Sequence, residues 1–549
     1  MTRQSNDFDL LRRTANELQS HVIDEYLAGH IDRRGLLRHG TAYGLSAAML
    51  AGLLGTPSLA RAAGKPGATI RVAMLGPTGP INPITVGDTG GLCMLQQAGE
   101  FLCLDDPTLH LKPQLATSWS SDKTGAIWTF KLRKGVKFHG GKPMTADDVV
   151  YSLARLADPK LGSNALSTFK GVLSPKGVVK IDDHTVAFHL DAPNGNFPYL
   201  VSSDNYNAII CPAGSDAAKY QEKFEGTGPF ILDKYTPGRG ASFLPNPHWW
   251  GGKVLPARTE FSFYTNQQSQ ILALQGNQVD VIQQIAVQGA QGLLNNPSVK
   301  ILNLRSSAHR EVHMRCDMAP FTDKRVRRAV ALTLNRPGII QGLFRGYSDL
   351  GNDSPFAPIF PSTNKTVPQR AMNIAEAKHL MAEAGMSKGA TVTLTTEQVQ
   401  EIPDYAVLIQ NAAAEIGIKI NLKIETGAAY YGAATFGNSD WLDSQMGITD
   451  YGARGVPNVF LAAPLLSNGT WNAAHFKNPT YDKLVADYIA DVDLSRQRVT
   501  SGKIERLLLD ETPIIFAYFY NYLAATAPNV SGVAVTGMSQ VFLQHATIA

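Results

Sequence analysis

One stretch, residues 111–156, constrains the fold of this chain more than any other. Apolar and polar side chains alternate from 127 to 133, as they do in a half-buried strand. A turn at Lys134-Gly135 leads into a second short strand. Further on, Thr145 and Asp148 stand three residues apart at the start of an amphipathic helix, in a capping-box arrangement. The stretch therefore predicts two adjacent strands followed by a capped helix.

The residues of this stretch also resemble a known family. The segments KPQLATSW (112–119) and TFKLRKGVKFHGGKPMTADDVVYSL (129–153) resemble the signature of the family 5 extracellular solute-binding proteins, the peptide, dipeptide and nickel receptors of ABC importers. Shorter matches continue from about residue 70 almost to the C-terminus, among them GTGPF (226–230) and PFTDKRVRRA (320–329). The resemblance implies an α/β fold of the large type II form, in which two lobes joined by two hinge strands close over a ligand.

The same resemblance divides the chain into domains. Lobe one is expected at 64–313 together with 520–549, with an extra subdomain at about 105–222, and lobe two is expected at 318–515. Within lobe two, the pattern of 373–424 by itself predicts a capped helix followed by a strand, a helix and a strand. A strand-helix-strand connection of this length implies a parallel strand pair with a right-handed crossover.

Residues 1–62 have the features of an export signal. The segment DRRGLLR (32–38) fits a twin-arginine signal, and the apolar run at 41–59 contains no acidic residue. Ala60-Arg61-Ala62 fits an A-x-A cleavage site, so we expect cleavage after Ala62. A membrane anchor is the alternative, but glycines and a proline interrupt the run. The expected location of the mature protein is the periplasm.

The composition argues against a nucleic-acid partner. The 549 residues carry 50 Lys and Arg against 46 Asp and Glu, a net charge of +4. Over so long a chain this charge is close to neutral and provides no basic surface. An apolar fraction of 44% with 17% charged residues suits a packed protein of two or three domains. We expect a monomer that does not bind nucleic acid.

The family resemblance points to one ligand-binding residue. In peptide-binding members, an aspartate in a W-x-x-D segment accepts the α-ammonium group of the ligand, and D-P-x-x-F-L follows. Here the matching segments are Gly447-Ile448-Thr449-Asp450 and VPNVFL (456–461), with glycine in place of the tryptophan and valine in place of the second aspartate. The resemblance implies that Asp450 binds a ligand ammonium group in a pocket that the lost tryptophan reshapes. The alternative is that Asp450 caps the turn before Gly452.

Side chains close to Asp450 in the sequence are further candidates for ligand contact. An arginine could pair in bidentate fashion with a ligand carboxylate, although a surface position fits the sequence equally well. Aromatic side chains that flank the segment could line the pocket. These candidates are Tyr451, Arg454, Trp471, Trp441, Tyr430 and Tyr431.

Two other groups of residues admit both a functional and a structural interpretation. Trp249-Trp250 could form an aromatic platform for a ligand or, as such pairs more often do, an anchor in the core. Arg325, Arg327 and Arg328 could bind an anion. In a helix capped at Thr322, however, we expect them to form a solvated, salt-bridged face.

Motifs for metal, cofactor or catalytic chemistry are missing from the sequence. His309 and His313 lie four residues apart, but in a predicted strand, where they are too distant to share a metal easily. The spacing of the four cysteines fits no zinc or redox motif, and it leaves a Cys93–Cys103 disulfide and buried free thiols as alternatives. Neither G-x-S-x-G nor H-E-x-x-H occurs. We expect no metal, no cofactor and no enzymatic activity.

Together, these observations predict a periplasmic substrate-binding protein of an ABC importer that captures a dipeptide or short oligopeptide and delivers it to the permease subunits in the inner membrane. An opine, an oligosaccharide or a chelated metal is the alternative solute for the same role. A secreted hydrolase is a remote alternative.

Overall fold

The computed structural model describes residues 67–549 and six isolated helical positions before them, which are Gln19, Val22, Glu25, Gly35, Leu36 and Arg38. Apart from those positions, the predicted export signal, with Arg33-Arg34 and the cleavage site at 60–62, lies outside the described residues. Within the described part of the chain, no helix has both the length and the hydropathy needed to cross a bilayer.

The strands, numbered in chain order, are β1 (Thr69–Leu75), β2 (Cys103–Asp105), β3 (Leu111–Pro113), β4 (Ala116–Ser121), β5 (Ile127–Leu132), β6 (Val178–Asp182), β7 (Thr185–His189), β8 (Phe230–Thr236), β9 (Gly240–Pro245), β10 (Arg258–Tyr264), β11 (Val281–Ile285), β12 (Lys300–Leu304), β13 (His309–Met314), β14 (Ser348–Leu350), β15 (Ala390–Glu397), β16 (Ile418–Glu425), β17 (Met446–Tyr451), β18 (Ile514–Tyr520), β19 (Tyr522–Thr526), β20 (Val530–Ser531), β21 (Ala534–Val535), β22 (Val541–Phe542) and β23 (Thr547–Ile548).

The helices from residue 67 onward are α1 (Thr89–Ala98), α2 (Ala146–Leu156), α3 (Leu166–Phe169), α4 (Phe197–Leu200), α5 (Tyr220–Lys223), α6 (Gln267–Gln275), α7 (Gln291–Leu294), α8 (Lys324–Leu332), α9 (Arg336–Phe344), α10 (Ile374–Glu383), α11 (Ile402–Ala414), α12 (Gly427–Tyr431), α13 (Asp440–Asp443), α14 (Asn458–Ala462), α15 (Pro479–Ala490) and α16 (Leu494–Glu511).

Lobe one is built on a seven-stranded sheet in the order β12-β19-β11-β1-β10-β9-β8. The central strand β1 runs parallel to both β10 and β11, whereas β19 is antiparallel to β11 and β12. Val72, Ala73 and Met74 in β1 are completely buried, as expected for the centre of a sheet that is covered on both faces. The strands β1 and β11 end side by side, at Leu75 and Ile285.

Lobe two is built on a six-stranded sheet in the order β14-β18-β13-β17-β15-β16. Strands β15 and β16 are parallel along their whole length, from the pair Ala390 and Ile418 to the pair Glu397 and Glu425. Helix α11 connects them, which confirms the predicted strand-helix-strand unit. On the other side β15 is parallel to β17, and β17 is antiparallel to β13. The carboxyl ends of β15 and β17 therefore lie at the same edge of the sheet.

The chain crosses between the two sheets at two places. Residues 305–308 join β12 of lobe one to β13 of lobe two, and the single residue Asn521 joins β18 to β19. Both β13 and β18 pair within the sheet of lobe two, whereas the boundaries drawn from the sequence divide the chain after β13 and within β18. The difference arises because side-chain pattern identifies a buried strand without revealing which sheet it joins.

The region from about 105 to 222 contains a separate four-stranded sheet in the order β4-β5-β7-β6, packed on α2. The rings of Phe130 and Phe188 meet edge to face in its core, with centroids 5.3 Å apart. The predicted capping box of α2 is present, because the backbone N–H of Thr145 donates to Oδ2 of Asp148 at 2.8 Å. A hairpin turn at Asp182-Asp183 connects β6 to β7.

The lobes contact one another on two sides of the cleft between them. Near the crossovers, one apolar cluster includes Leu274 of lobe one and both Val312 and Phe344 of lobe two. On the far side, the backbone N–H of Gly195, in the subdomain, donates to the carbonyl of Ile489 at 2.7 Å. A Cβ atom at Gly195 would lie 1.8 Å from a backbone oxygen of lobe two, so this close approach requires glycine.

Helix α1 ends at Ala98, and β2 follows, because Gly99 takes an extended conformation beneath Ile209. One local prediction is corrected, since helix α8 is capped by Asp323 rather than Thr322.

The arginines of α8 also differ from the prediction. Arg325 and Arg328 form surface ion pairs as expected, but the Arg327 side chain is buried and donates to the carbonyl oxygens of Phe321 and Glu511. Arg327 therefore ties α8 to the end of α16 instead of contributing to a solvated face.

Two alternatives left open by the sequence are resolved in the core of lobe one. All four cysteines are free, so Cys93 and Cys103 are buried thiols and not a disulfide. The indole N–H groups of Trp249 and Trp250 donate to the two carboxylate oxygens of Glu100, at 3.0 and 2.8 Å. The tryptophan pair is thus an anchor in the core, as such pairs commonly are, rather than a ligand platform.

Candidate functional site

A cavity of about 370 Å³ lies where the carboxyl ends of parallel strands from both lobes meet the two crossovers. Lobe one contributes the segment 283–288 that begins in β11. Lobe two contributes Asp450 from β17, Gly452-Ala453 after that strand, and Gln400-Glu401 after β15. Residues 520–523, at the second crossover, form its base. This edge of an open α/β sheet is where ligands bind. We refer to this space as cavity A.

Asp450 reaches cavity A from β17, directly opposite Arg310 on the neighbouring strand β13. The Arg310 side chain is completely buried, whereas that of Asp450 is 35% exposed. Oδ1 of Asp450 pairs with the guanidinium and also accepts a hydrogen bond from the Tyr520 hydroxyl at 3.0 Å. Oδ2 forms no hydrogen bond within the described part of the chain. One carboxylate oxygen of Asp450 thus remains available to a ligand.

Arg310 is held by a second carboxylate on its other side. Its Nε atom lies 2.9 Å from Oε1 of Glu401, and its Nη2 atom donates to Gln400 at 2.7 Å. Burial opposes the charged form of Arg310, but its neighbours, Asp450 and Glu401 among them, hold its pKa well above the ordinary value. The guanidinium is therefore a fixed positive charge shared by two carboxylates.

A third carboxyl group, Glu397, borders this cluster at the end of β15. Its Oε1 accepts a hydrogen bond from the Tyr431 hydroxyl at 2.6 Å. Burial raises the pKa of Glu397, and the charge of Asp450 raises it further. The carboxylates of Asp450 and Glu401 both contact the single guanidinium of Arg310, so acidic side chains outnumber basic ones in this cluster. Such a cluster favours a positively charged group in cavity A.

Seven amide side chains also line cavity A. They are Gln267, Gln270, Gln283, Gln284, Gln288, Gln400 and Asn521. Gln267 bonds to the backbone at Ala286 and Gln288, which fixes that loop. The buried Oε1 of Gln270 has no hydrogen-bond partner among the described residues. Within the part of the chain that the structure describes, no Lys, Arg or His lines this cavity. The wall can therefore hydrogen-bond amide or hydroxyl groups, but it offers no positive charge.

A second cavity, of about 640 Å³, lies between the subdomain and lobe two. Residues of the segments 164–172 and 194–207 form its subdomain side, and residues of 454–471 form its lobe-two side. Both Arg454 and Trp471, predicted as ligand contacts, line this space. We refer to it as cavity B.

A narrow passage of about 20 Å³ lies between the two cavities. It shares Ser306, Ala453 and Gly537 with cavity A. It shares Asp204 and Arg454 with cavity B. We call this passage the neck. Because its wall is continuous with both cavities, A and B are neighbouring parts of one cleft between the lobes.

Five charged side chains line the neck, those of Asp105, Asp106, Asp204, Arg305 and Arg454. The buried carboxylate of Asp204 accepts a hydrogen bond from the backbone N–H of Gly455, across the cleft. Burial raises the pKa of Asp204 to about 6, although the positive charge of Arg454 opposes the shift. Arg454 donates from Nη1 to the carbonyl of Ala453 at 2.8 Å, and it forms no ion pair among the described residues. Its guanidinium thus keeps most of its donors free.

The remaining predicted residues lie behind the cavities. Tyr451 follows Asp450 on β17 and points to the opposite face of the sheet, where its ring stacks on His309 at 5.4 Å. Trp441 is buried, with its ring 6.1 Å from that of Trp471. Neither Tyr451 nor Trp441 lines cavity A or cavity B. Both support the wall that carries Trp471.

Tyr430 and Tyr431 likewise act through their neighbours. The Tyr430 hydroxyl is completely buried and lies 3.1 Å from that of Thr449. Tyr431 hydrogen-bonds Glu397, as described above, and packs edge to face on Trp441 at 5.3 Å. The tyrosine pair connects the carboxyl cluster to the aromatic core of lobe two.

The glycine in place of the family's tryptophan does not leave an open space. A Cβ atom at Gly447 would lie 2.4 Å from the His313 ring and 3.0 Å from the Tyr430 hydroxyl. These two side chains fill the volume that a larger residue would need. The glycine therefore allows a close approach inside the core of lobe two.

The described residues contain no group of three or more His, Cys, Asp or Glu side chains that could hold a metal ion. Burial lowers the pKa values of His309 and His313 to about 3, so both imidazoles are neutral at physiological pH. The geometry of the site thus supports binding through charge, hydrogen bonds and shape.

Arg310, Glu401 and Tyr520 contribute to the site but were not found from the sequence. Arg310 and Tyr520 meet through the pairing of β13 with β18, and Glu401 approaches them from the end of β15, which pairs with β17. The sequence of β13 did contain one indication. This strand is buried on both faces and carries an arginine, so the fold must provide a partner for that charge.

Comparison with known proteins gives consistent matches. Residues 110–473 match the model of the family described as bacterial extracellular solute-binding proteins, family 5 Middle. The chain is 26% identical over 451 residues to the heme-binding protein A of Haemophilus influenzae, covering 77% of this chain and 81% of that protein. It is 26% identical over 481 residues to the periplasmic oligopeptide-binding protein OppA of Salmonella typhimurium, covering 79% and 83%.

Solved structures match the fold over nearly the whole described region. The structure of HbpA2 from Haemophilus parasuis superposes with a TM-score of 0.78 at 21% identity, covering 88% of this chain and 100% of that one. At this identity the likeness supports the two-lobed architecture.

Proposed function

The chain belongs to the family 5 bacterial extracellular solute-binding proteins, and on this premise we propose that it captures a dipeptide or short oligopeptide between its lobes and delivers it to the permease of an ABC importer. A relative of similar length is named as an oligopeptide-binding protein. The amide-lined wall of cavity A can hydrogen-bond a peptide backbone. Binding rather than catalysis is the proposed activity.

One observation carries the proposal of a peptide ligand. Asp450 presents a free carboxylate oxygen in a cavity whose charged cluster has more acidic than basic side chains. An α-ammonium group that leaves water needs such a fixed partner. Asp450 is therefore the proposed anchor, with Arg454 and Trp471 as further contacts. Tyr451 and Trp441 are proposed to hold the wall in place.

The anchor is tested with Asp450→Asn. Isothermal titration calorimetry with Ala-Ala-Ala-Phe should show a loss of affinity of about 10- to 100-fold, because a charge-assisted hydrogen bond becomes a neutral one. The N-acetylated peptide should bind the wild-type protein as weakly as the free peptide binds the variant. Asp487→Asn, which removes an exposed carboxylate from α15, is the matched control and should leave affinity unchanged. Equal binding of the free and acetylated peptides would refute the ammonium anchor.

We propose that the protein is exported through the twin-arginine pathway, cleaved near Ala62, and acts in the periplasm as a monomer with the inner-membrane permease subunits as partners. Strand pairing supports lobes at about 67–304 with 522–548 and at 309–520. N-terminal sequencing of the protein from the periplasmic fraction tests the cleavage site, because the mature chain should begin at Ala63.

The amide-rich wall also fits a non-peptide solute, such as an opine or an oligosaccharide, since both offer hydroxyl or carbonyl groups to glutamine side chains. A chelated metal would enter as a complex. Native mass spectrometry of the freshly exported protein distinguishes these solutes by the mass of the retained ligand. Incubation with peptides and esters should yield no product, and turnover would instead indicate a hydrolase.

A further inference from the structure

The charges along the cleft bear on the length of the ligand. A zwitterionic dipeptide bound at Asp450 would place its carboxylate about one residue further along, and an extended chain advances only about 3.3–3.6 Å per residue. The described residues that line cavity A include Asp450 and Glu401 but no cation. A carboxylate in that space would be desolvated beside like charges without a partner. Cavity A therefore suits the amino end of a peptide and disfavours the carboxyl end.

The nearest lining cations are two arginines of the neck, of which Arg305 is already paired with Asp349 and Arg454 is the other. Arg454 borders both the neck and cavity B and, within the described part of the chain, takes part in no ion pair. Asp204, on the opposite side of the cleft, already accepts the backbone N–H of Gly455. The guanidinium can therefore form a bidentate pair with a carboxylate that enters from the neck. Lys170 also lines cavity B, but at its exposed rim.

Cavity B has the lining expected for an apolar side chain. Helix α14 and the segment after it present Val459, Ala462 and Leu466, and Leu200 of the subdomain faces them across the space. Trp471 adds an aromatic surface. At about 640 Å³ this cavity is larger than cavity A and lies within the usual range of ligand pockets.

We propose that the ligand is a peptide of three or more residues that spans both cavities: its amino group lies at Asp450 in cavity A, its backbone passes the neck, and its C-terminal carboxylate pairs with Arg454 while an apolar last side chain occupies cavity B. This assignment rests on the proposed peptide-binding function and narrows it, because it excludes dipeptides as good ligands.

The test compares peptide length and C-terminal charge on the full chain purified after export. Calorimetric titrations with Ala-Phe, Ala-Ala-Ala-Phe and the C-terminal amide of the tetrapeptide should show that the tetrapeptide acid binds at least about tenfold more tightly than Ala-Phe, because only the longer ligand reaches Arg454. Arg454→Gln should weaken the tetrapeptide acid by about tenfold and leave the amide unchanged. Lys170→Gln, the matched control at the rim, should change neither.

A second variant tests cavity B without altering charge. Val459→Phe fills part of the space and should weaken the tetrapeptide while Ala-Phe, held in cavity A, is unaffected. Val407→Phe, which adds the same ring at an exposed position of α11, is the control and should bind both ligands as the wild type does.

The outcomes separate this assignment from the proposed function. If Ala-Phe binds as tightly as the tetrapeptide, or if Arg454→Gln weakens acid and amide equally, the two-cavity assignment is wrong. In that case a continued requirement for Asp450 and a free amino group would leave the peptide-binding function intact. If no peptide binds, or if the acetylated peptide binds as well as the free one, the proposed function fails and the assignment fails with it.

Discussion

Lobe two contains two buried arginine clusters with opposite designs. In the first, the guanidinium of Arg310 is shared by the carboxylates of Glu401 and Asp450, beside cavity A. In the second, the single carboxylate of Asp353 is shared by two guanidinium groups, those of Arg336 and Arg370. The first cluster has more carboxylates than guanidinium groups, and the second has the reverse.

The second cluster is almost completely shielded from solvent. The Asp353 carboxylate lies 2.7 Å from each of the two guanidinium groups and also accepts the backbone N–H of Phe516 at 3.1 Å. Both arginines have carbonyl partners as well, at Ala331 and at Leu509. The Asp353 side chain has no exposed surface. This cluster joins the loop after β14 to β18 and α16, and it serves the fold.

The two clusters differ in the solvent exposure of their carboxylates, although both contain buried charges. Each contains an arginine with almost no exposed surface. Only the first has a partly exposed carboxylate with an unused acceptor on a cavity wall. A buried ion pair alone is weak evidence for function. A charged side chain that is only partly paired and lies exposed on a cavity wall, by contrast, indicates that the cavity binds a ligand group of the opposite charge.

The largest effect is expected from removing the carboxylate that the Arg336 and Arg370 guanidinium groups share. Asp353→Asn leaves two buried guanidinium groups without a carboxylate and should lower the free energy of unfolding by about 3–5 kcal/mol. Urea unfolding followed by circular dichroism measures this loss. Asp510→Asn removes an exposed carboxylate that pairs with Lys324 and should cost less than about 1 kcal/mol. A stable Asp353→Asn protein would contradict the structural role of this cluster.

Glu311 is a third kind of buried carboxyl group, one that has no arginine partner among the described residues. Glu311 is buried on the opposite face of β13 from Arg310, and burial raises its pKa to about 8, above the ordinary value of 4.5. The folded state binds this proton more tightly than the unfolded state does. The stability it contributes is therefore complete below pH 4.5 and is lost as pH rises through about 8.

Between about pH 7 and 8 the protein should accordingly lose stability with a slope of up to about 1.4 kcal/mol per pH unit from this group, and the slope should fall away above about pH 8. His309 and His313, on the same strand face, contribute little in this window, because their imidazoles are neutral in the folded state and an unfolded histidine, with its ordinary pKa of 6.5, is mostly neutral as well. Glu505, whose pKa burial raises to about 8, acts in the same direction. Glu311→Gln should flatten the pH dependence of the thermal unfolding midpoint, and an unchanged slope would show that Glu311 does not titrate there.

The smallest effect is expected from a variant that removes one negative charge from the Arg310 cluster but keeps Asp450. Glu401→Gln leaves Arg310 to pair with Asp450 alone and should weaken Ala-Ala-Ala-Phe by about tenfold, because the cluster loses one negative charge. Binding of the N-acetylated peptide should not change. Calorimetry below the unfolding temperature of the variant measures both. An equal loss for the two peptides would mean that Glu401 acts by holding the shape of the wall.

The fold was predictable where local chemistry determines it. The capping box of α2 and the parallel unit around α11 depend on residues close together in sequence, and both are confirmed. The boundary between the lobes depends on which sheet accepts β13 and β18, and that choice is made by strand pairing over hundreds of residues. A side-chain pattern does not carry this information.

The site was predictable only in part for the same reason. Asp450 could be recognised from its segment, but the charge that balances it comes from Arg310, some 140 residues earlier in the chain. Proximity in sequence also grouped Tyr451 with Asp450, although alternation along β17 places their side chains on opposite faces of the sheet. Residue type identified the chemistry, and strand register decided which groups share a cavity.

The contact at Gly195 has a consequence for how tightly any ligand is held. Backbone of the subdomain meets backbone of lobe two there, so part of the free energy of closing is contributed by the protein alone. The observed dissociation constant varies inversely with the fraction of molecules in the binding-competent form. That fraction is set partly at a position remote from Asp450. Overall affinity can therefore change for all solutes by one common factor while the order of preference among them stays the same.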